Sequence, residues 1–75
     1  MNRIIEVMEA VKIDNVKTGR NARELRESKS VSLRRVATAM LISAPYLSGL
    51  ELGTSNWTEG LADLFTDAVE GMTNG

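Results

Sequence analysis

Ile4, Val7, Met8 and Val11 stand at i, i+3, i+4 and i+7, with Arg3, Glu6, Glu9 and Lys12 on the other side. This narrow stripe predicts an amphipathic helix over residues 1–12, capped by Asn2. That helix either packs on the rest of the domain or forms a dimer contact. Asp14-Asn15 interrupts the pattern. A second helix is predicted from about 16 to 28, with Val16, Ala22 and Leu25 inward and a basic outer face. Residues 30–32 form a connector, and Ser32 suits the N-cap of a third helix, 33 to about 41. Val36, Ala37, Met40, Leu47 and Leu50 keep helical spacing across a short break, so two short helices joined by a tight turn share one core. Ala37 is small where those two helices cross.

The fourth helix, 43–52, carries its own boundary signals. The hydroxyl of Ser43 can accept an orphan backbone N–H. Pro45 falls in the first turn, where a missing N–H costs little. Gly53 can end the helix in the left-handed conformation. After a loop and cap at Thr54-Ser55-Asn56, Trp57, Leu61, Leu64, Phe65, Ala68 and Met72 share one side of a last helix, 57–70. Glu59, Asp63, Asp67 and Glu70 share the other. Trp57 and Phe65 are core candidates, although Phe65 with Met72 could instead seal a dimer seam. The expectation is one all-α domain over residues 1–75, a compact bundle of four or five helices. Residues 1–14 form an added N-terminal helix, 16–70 the core and 71–75 a frayed tail.

Composition narrows the chemistry. The chain has no cysteine and no histidine. Disulfide staples, thiolate metal sites and the commonest general base are excluded together. No carboxylate cluster has catalytic or metal-ligating spacing, so neither an enzyme nor a metal or cofactor is expected. Residues 36–50 carry no charge, but they fall short of the ~20 residues a membrane span requires, and Thr38, Ser43, Pro45, Ser48 and Gly49 interrupt them. With no signal peptide visible, a soluble, cytoplasmic protein with no membrane partner is expected.

The net charge of −1 hides a split. Residues 12–35 hold eight basic and three acidic side chains, whereas residues 36–75 hold five acidic and no basic ones. Two surfaces with different partners are one reading. Ordinary solvation of outer helix faces is the other. Arg34 and Arg35 occupy the first turn of the third helix, where the helix dipole prefers anions. Either they await phosphates, or Arg35 pairs with a nearby acid.

The stretch 32–53 resembles the Cro/repressor-like (XRE) helix-turn-helix family of phage and bacterial transcriptional regulators. The resemblance rests on Ser32-Leu33, Val36-Ala37, Ser43, Tyr46-Leu47-Ser48, Leu50-Glu51 and Gly53. Gly19 and Arg23-Glu24-Leu25-Arg26-Glu27 match the family's preceding helix. It covers roughly residues 16–69. It implies a lambda-repressor-like fold with a central helix-turn-helix, binding to double-stranded DNA, transcription regulation and a homodimer. It also implies a partly buried structural ion pair between Arg26 and Glu51. Where the family usually has a turn glycine this chain has Leu41, so either the third helix runs longer or the turn has another shape.

Carried over by position, the base-reading residues would be Ala44, Pro45, Tyr46 and Gly49. Ser43 and Ser48 would approach phosphates, joined by Arg34 and Arg35 on the first-turn reading above. Ala44, Pro45 and Gly49 offer no side-chain donor or acceptor, so the strong base codes are absent. Three readings stay open. Tyr46, Arg34, Arg35 and DNA shape could carry specificity, as in restriction–modification controller proteins with a similar Tyr-x-Ser-Gly pattern. The uncharged surface could instead take a protein partner such as a repressor, making the chain a modulator or antirepressor. Or the helix could do little beyond packing through Leu47 and Leu50. The loop 54–57 lacks the Lys or Arg of many relatives, so its hydroxyl and amide groups could bond phosphates without releasing counterions.

Overall fold

The computed structural model of the chain describes residues 13–73. The helix expected over residues 1–12 and the last two residues of the expected tail lie outside them. Within 13–73 the architecture is all-helical, with four helices and no strand: α1 (Asn15–Ser28), α2 (Leu33–Met40), α3 (Ala44–Leu52) and α4 (Glu59–Thr73). α1 packs chiefly on α3, α2 on α3 and α4, and α1 also touches α4.

Each start is set by a short polar side chain. The Asp14 carboxylate accepts from the Lys17 N–H at 3.0 Å, and Ser32 Oγ accepts from the Arg35 N–H at 3.2 Å. Ser43 Oγ accepts from the Tyr46 N–H at 3.1 Å, with Pro45 in the first turn of α3. Thr58 Oγ1 accepts from the Leu61 N–H at 3.0 Å. The last helix therefore begins at Glu59, two residues later than its apolar spacing predicts. It continues through Gly71 to Thr73 rather than fraying there.

The first three helices end in the same closure. Val31, Ile42 and Thr54 donate their N–H groups to Arg26, Ala37 and Gly49 at 3.2, 3.0 and 2.9 Å. Ser30, Leu41 and Gly53 donate to Glu27, Thr38 and Leu50 at 3.0, 3.1 and 3.3 Å. These pairs of bonds define the Schellman motif, which places one left-handed residue just past the helix. Those residues are Ser30, Leu41 and Gly53, with φ of 57°, 61° and 84°. The turn at Leu41 thus keeps the left-handed geometry expected of a glycine. α2 does not run longer. Two backbone bonds and the half-burial of Ile42 against the core offset the steric cost at Leu41.

Val36, Ala37, Met40, Leu47, Leu50, Trp57, Phe65 and Val69 are buried together. Phe65 is 2% exposed and meets Trp57 edge-to-face at 5.8 Å, so it belongs to the core and not to a dimer seam. Two inward candidates are corrected. Leu64 is exposed, because the buried face of α4 centres on Phe65 and Val69, a turn edge away from it. Val16 is 54% exposed, lying over Gly53 at the rim of the α1–α3 junction. That junction is close. A Cβ on Gly19 would collide with the backbone carbonyl oxygens of Leu50 and Glu51.

Candidate functional site

The site is built around α3, so what holds α3 comes first. Its C-terminal half is clamped from α1. Arg26 Nε donates to Glu51 Oε2 at 2.8 Å and Nη2 to Oε1 at 2.9 Å. The third guanidinium donor, Nη1, reaches the Val31 carbonyl at 3.1 Å. Side-chain exposure is 12% for Arg26 and 3% for Glu51, so the bidentate pair is largely desolvated. The hydrogen bonds to Glu51 hold the Arg26 guanidinium charged above its ordinary range, against the opposing pull of burial. A raised arginine contributes its stability below its unfolded value and loses it only in strong alkali.

A second tie comes from the far side. Trp57 Nε1 donates to the Leu50 carbonyl at 2.7 Å inside the core. Asn15, at the start of α1, fastens the following loop: its Oδ1 accepts from the Trp57 N–H at 2.8 Å and its Nδ2 donates to Asn56 Oδ1 at 3.0 Å. Asn15 stood at a break in the apolar pattern, and its spacing from Asn56 along the chain carried no signal of the contact.

The N-terminal half of α3 makes no such ties. Pro45 and Tyr46 are exposed, while Ala44, Ser48 and Gly49 are half-buried. Ser43 is exposed, with its oxygen committed to capping Tyr46. Arg34 and Arg35 are exposed on the first turn of α2 and pair with no carboxylate among the described residues. The alternative that Arg35 is neutralised by a neighbouring acid is therefore absent from 13–73. Their turn also holds no acidic residue.

Gly49 departs from the role of an open reading position. A Cβ there would sit 2.7 Å from Ser55 Oγ and 3.3 Å from Thr54 Oγ1. The Gly49 carbonyl accepts from the Thr54 and Ser55 N–H groups and from Thr54 Oγ1 at 3.2 Å. Gly49 is thus the seat of the 53–56 loop. In that loop Thr54 Oγ1 donates to the Gly49 carbonyl, while Asn56 engages only its Oδ1, as acceptor from Asn15 Nδ2.

The position that the apolar pattern did not single out is Leu41. It is 92% exposed, holds φ of 61° and stands two residues before the Ser43 cap. With Ala44, Pro45 and Tyr46 it makes the turn and the start of α3 an uncharged, largely apolar surface. The outer positions of α1, by contrast, expose Lys17, Arg20 and Arg23, of which Arg23 pairs with Glu27 at 3.2 Å, and Lys29 is exposed at its C-cap. α4 exposes Glu59, Asp63, Asp67 and Glu70. Among the described residues no group of His, Cys, Asp or Glu gathers as a metal ion would require, and no helix is long and apolar enough to cross a membrane.

The chain matches no protein-family model, no curated protein and no solved structure.

Proposed function

We propose that the chain is a small DNA-binding transcriptional regulator of the Cro/repressor-like kind, with α2 and α3 as its helix-turn-helix. In this reading α3 enters the major groove and two copies bind half-sites about one helical turn apart. One observation carries it. The half of α3 nearest α1 is locked by the Arg26–Glu51 pair, while Pro45 and Tyr46 at its other end and the arginines of α2 are left facing outward. A rigidly held helix with a free N-terminal surface is the arrangement that groove reading requires.

Tyr46 is then the principal base reader, through its hydroxyl and ring. Ala44 and Pro45 offer apolar contact to thymine methyls. Arg34 and Arg35 supply phosphate contacts. With no Lys or Arg in the loop 54–57, two to four charge contacts per subunit are expected, each contributing about −0.9 to the log–log salt slope. The test is a binding titration against a pool of the chain's own upstream DNA at two salt concentrations. Tight, selective retention that is lost in Tyr46→Ala supports the reading. Weak, unselective, salt-labile binding overturns it.

A second reading is favoured by Leu41. A leucine held in the left-handed region and 92% exposed is costly in isolation. Beside Ala44, Pro45 and Tyr46 it suits an apolar protein surface, such as that of a repressor, better than a phosphate backbone. The chain would then modulate a repressor instead of reading an operator. Leu41→Ser separates the two: it weakens capture of a protein partner and leaves DNA retention unchanged.

A further inference from the structure

The major groove shows a protein three kinds of feature: hydrogen-bond donors, acceptors and the C5-methyl of thymine. What α3 can tell apart follows from what it exposes. Pro45, Tyr46 and Leu52 are exposed, and Ala44, Ser48 and Gly49 are half-buried. The one charged side chain of the helix, Glu51, is buried and held by Arg26. No amide, carboxylate or guanidinium therefore projects from α3. The polar side chains left, with the capping Ser43, are the hydroxyls of Ser43, Tyr46 and Ser48, and a hydroxyl donates or accepts alike. Such groups anchor a base edge without telling a donor from an acceptor. The backbone adds little. Pro45 has no N–H, and the N–H groups of Tyr46 and Leu47 are taken by the Ser43 hydroxyl and carbonyl at 3.1 Å each.

What remains at the start of the helix is hydrocarbon on three consecutive residues: the Ala44 Cβ, the Pro45 ring and the Tyr46 ring. Ala44 and Pro45 lose no side-chain rotamer freedom when an apolar group is set against them. We propose that α3 reads pyrimidine C5-methyl groups, so that its ligand is a duplex carrying thymine or 5-methylcytosine at fixed positions in each half-site. The proposal rests on the reading of α3 as the groove helix and adds the chemical group that selects the DNA. Thymine and 5-methylcytosine hold the methyl on the same ring carbon. They differ beside it, where thymine has the O4 acceptor and cytosine the N4 amino donor. The Tyr46 hydroxyl serves either one. Methylation of cytosine at such a position therefore supplies what thymine supplies.

The experiment starts from the duplex that the full chain retains best from a random pool. Each thymine is replaced in turn by deoxyuridine, which removes only the methyl. Each of those thymines is also replaced by cytosine and by 5-methylcytosine, paired with guanine. Each guanine is replaced by 7-deazaguanine, which lacks the N7 acceptor. Deoxyuridine is expected to weaken binding about fourfold at one or two thymines per half-site, the effect of withdrawing one buried methyl. At those positions cytosine should bind as weakly as deoxyuridine, and 5-methylcytosine within about twofold of thymine. The ratios should hold at both high and low salt, because a methyl contact releases no counterion. In the Ala44→Ser, Pro45→Ser chain the thymine-to-deoxyuridine ratio should fall to about one. Ratios unchanged in that variant would trace the effect to DNA shape and overturn the proposal. Equal affinity across the deoxyuridine series, or losses confined to 7-deazaguanine, would also overturn it and leave the groove reading of α3 standing. A pool from which no duplex is selectively retained defeats both.

Discussion

The ends of α2 and α3 share one backbone and differ in everything around it. Both close in a Schellman motif, with Leu41 at φ 61° in one and Gly53 at φ 84° in the other. At Gly53 a Cβ would meet Val16 Cα and Cγ2 at 2.8 Å, because α1 passes directly over it. At Leu41 the side chain meets open solvent and is 92% exposed. The dihedral angle alone does not demand glycine. It demands glycine where another element closes the space, and tolerates leucine where nothing does. The residue permitted at the open end is then available for contact with another molecule, and that is the end nearest the candidate surface.

The closed side should prove the more fragile. Glu51→Ala strands the buried Arg26 guanidinium, and a loss of about 3–5 kcal/mol is expected; in so small a domain, urea titration would then find the chain close to unfolded at 25 °C. A double-mutant cycle with Arg26→Met should recover part of that loss, because no charge is left unpaired. If Glu51→Ala unfolds at the parent's midpoint, the clamp is not what holds α3. Gly53→Ala combines left-handed strain with backbone overlap at Val16, and a destabilisation of about 3 kcal/mol is expected. Thermal melts of this variant against Gly60→Ala, a helical position whose new Cβ would have ordinary contact distance only to Thr58 Oγ1 at 3.8 Å, report the strain and the crowding at Gly53 together.

Smaller effects sharpen the contrast from within the core and from the open side. Trp57→Phe keeps the ring packing on Phe65 but leaves the buried Leu50 carbonyl without its indole donor, costing about 1–3 kcal/mol by denaturant titration. Leu41→Gly removes the strain and adds unfolded-state entropy, so a net gain of about 0.5–1 kcal/mol is expected. A loss instead would mean that Leu41 packs on the fold and is not held outward. Tyr46→Ala should move the melting midpoint least, within about 0.5 kcal/mol, since an exposed side chain with no tertiary bond contributes little. Its effect belongs to the binding assay.

Much of the fold was legible in the sequence because its signals are local. Ser32 and Ser43 announce caps, Pro45 a first turn and Gly53 a left-handed end, each through chemistry confined to one turn of helix. The spacing of Val36, Ala37, Met40, Leu47 and Leu50 marks a shared core because helical periodicity maps directly onto one face. The Arg26–Glu51 contact is different: its partners stand far apart in the chain, and only the family resemblance pointed to it.

What tertiary structure alone decided are the contacts between elements. Local pattern could not say that Gly49 seats the 53–56 loop, that Asn15 bonds Asn56 and the Trp57 backbone, or that Val16 and Leu64 fall outside the buried face. Periodicity defines an apolar stripe but not which part of it a neighbour covers. Leu41 marks the same limit. By itself the sequence determined that a leucine stood where glycine is usual, and it left a longer helix and a reshaped turn as the alternatives. The choice of neither was made by the bonds from Ile42 back to Ala37 and from Leu41 back to Thr38, and by the burial of Ile42 against the core. The bonds are local to the helix end, but the burial is an energy of the assembled bundle, present only once α2, α3 and α4 have come together.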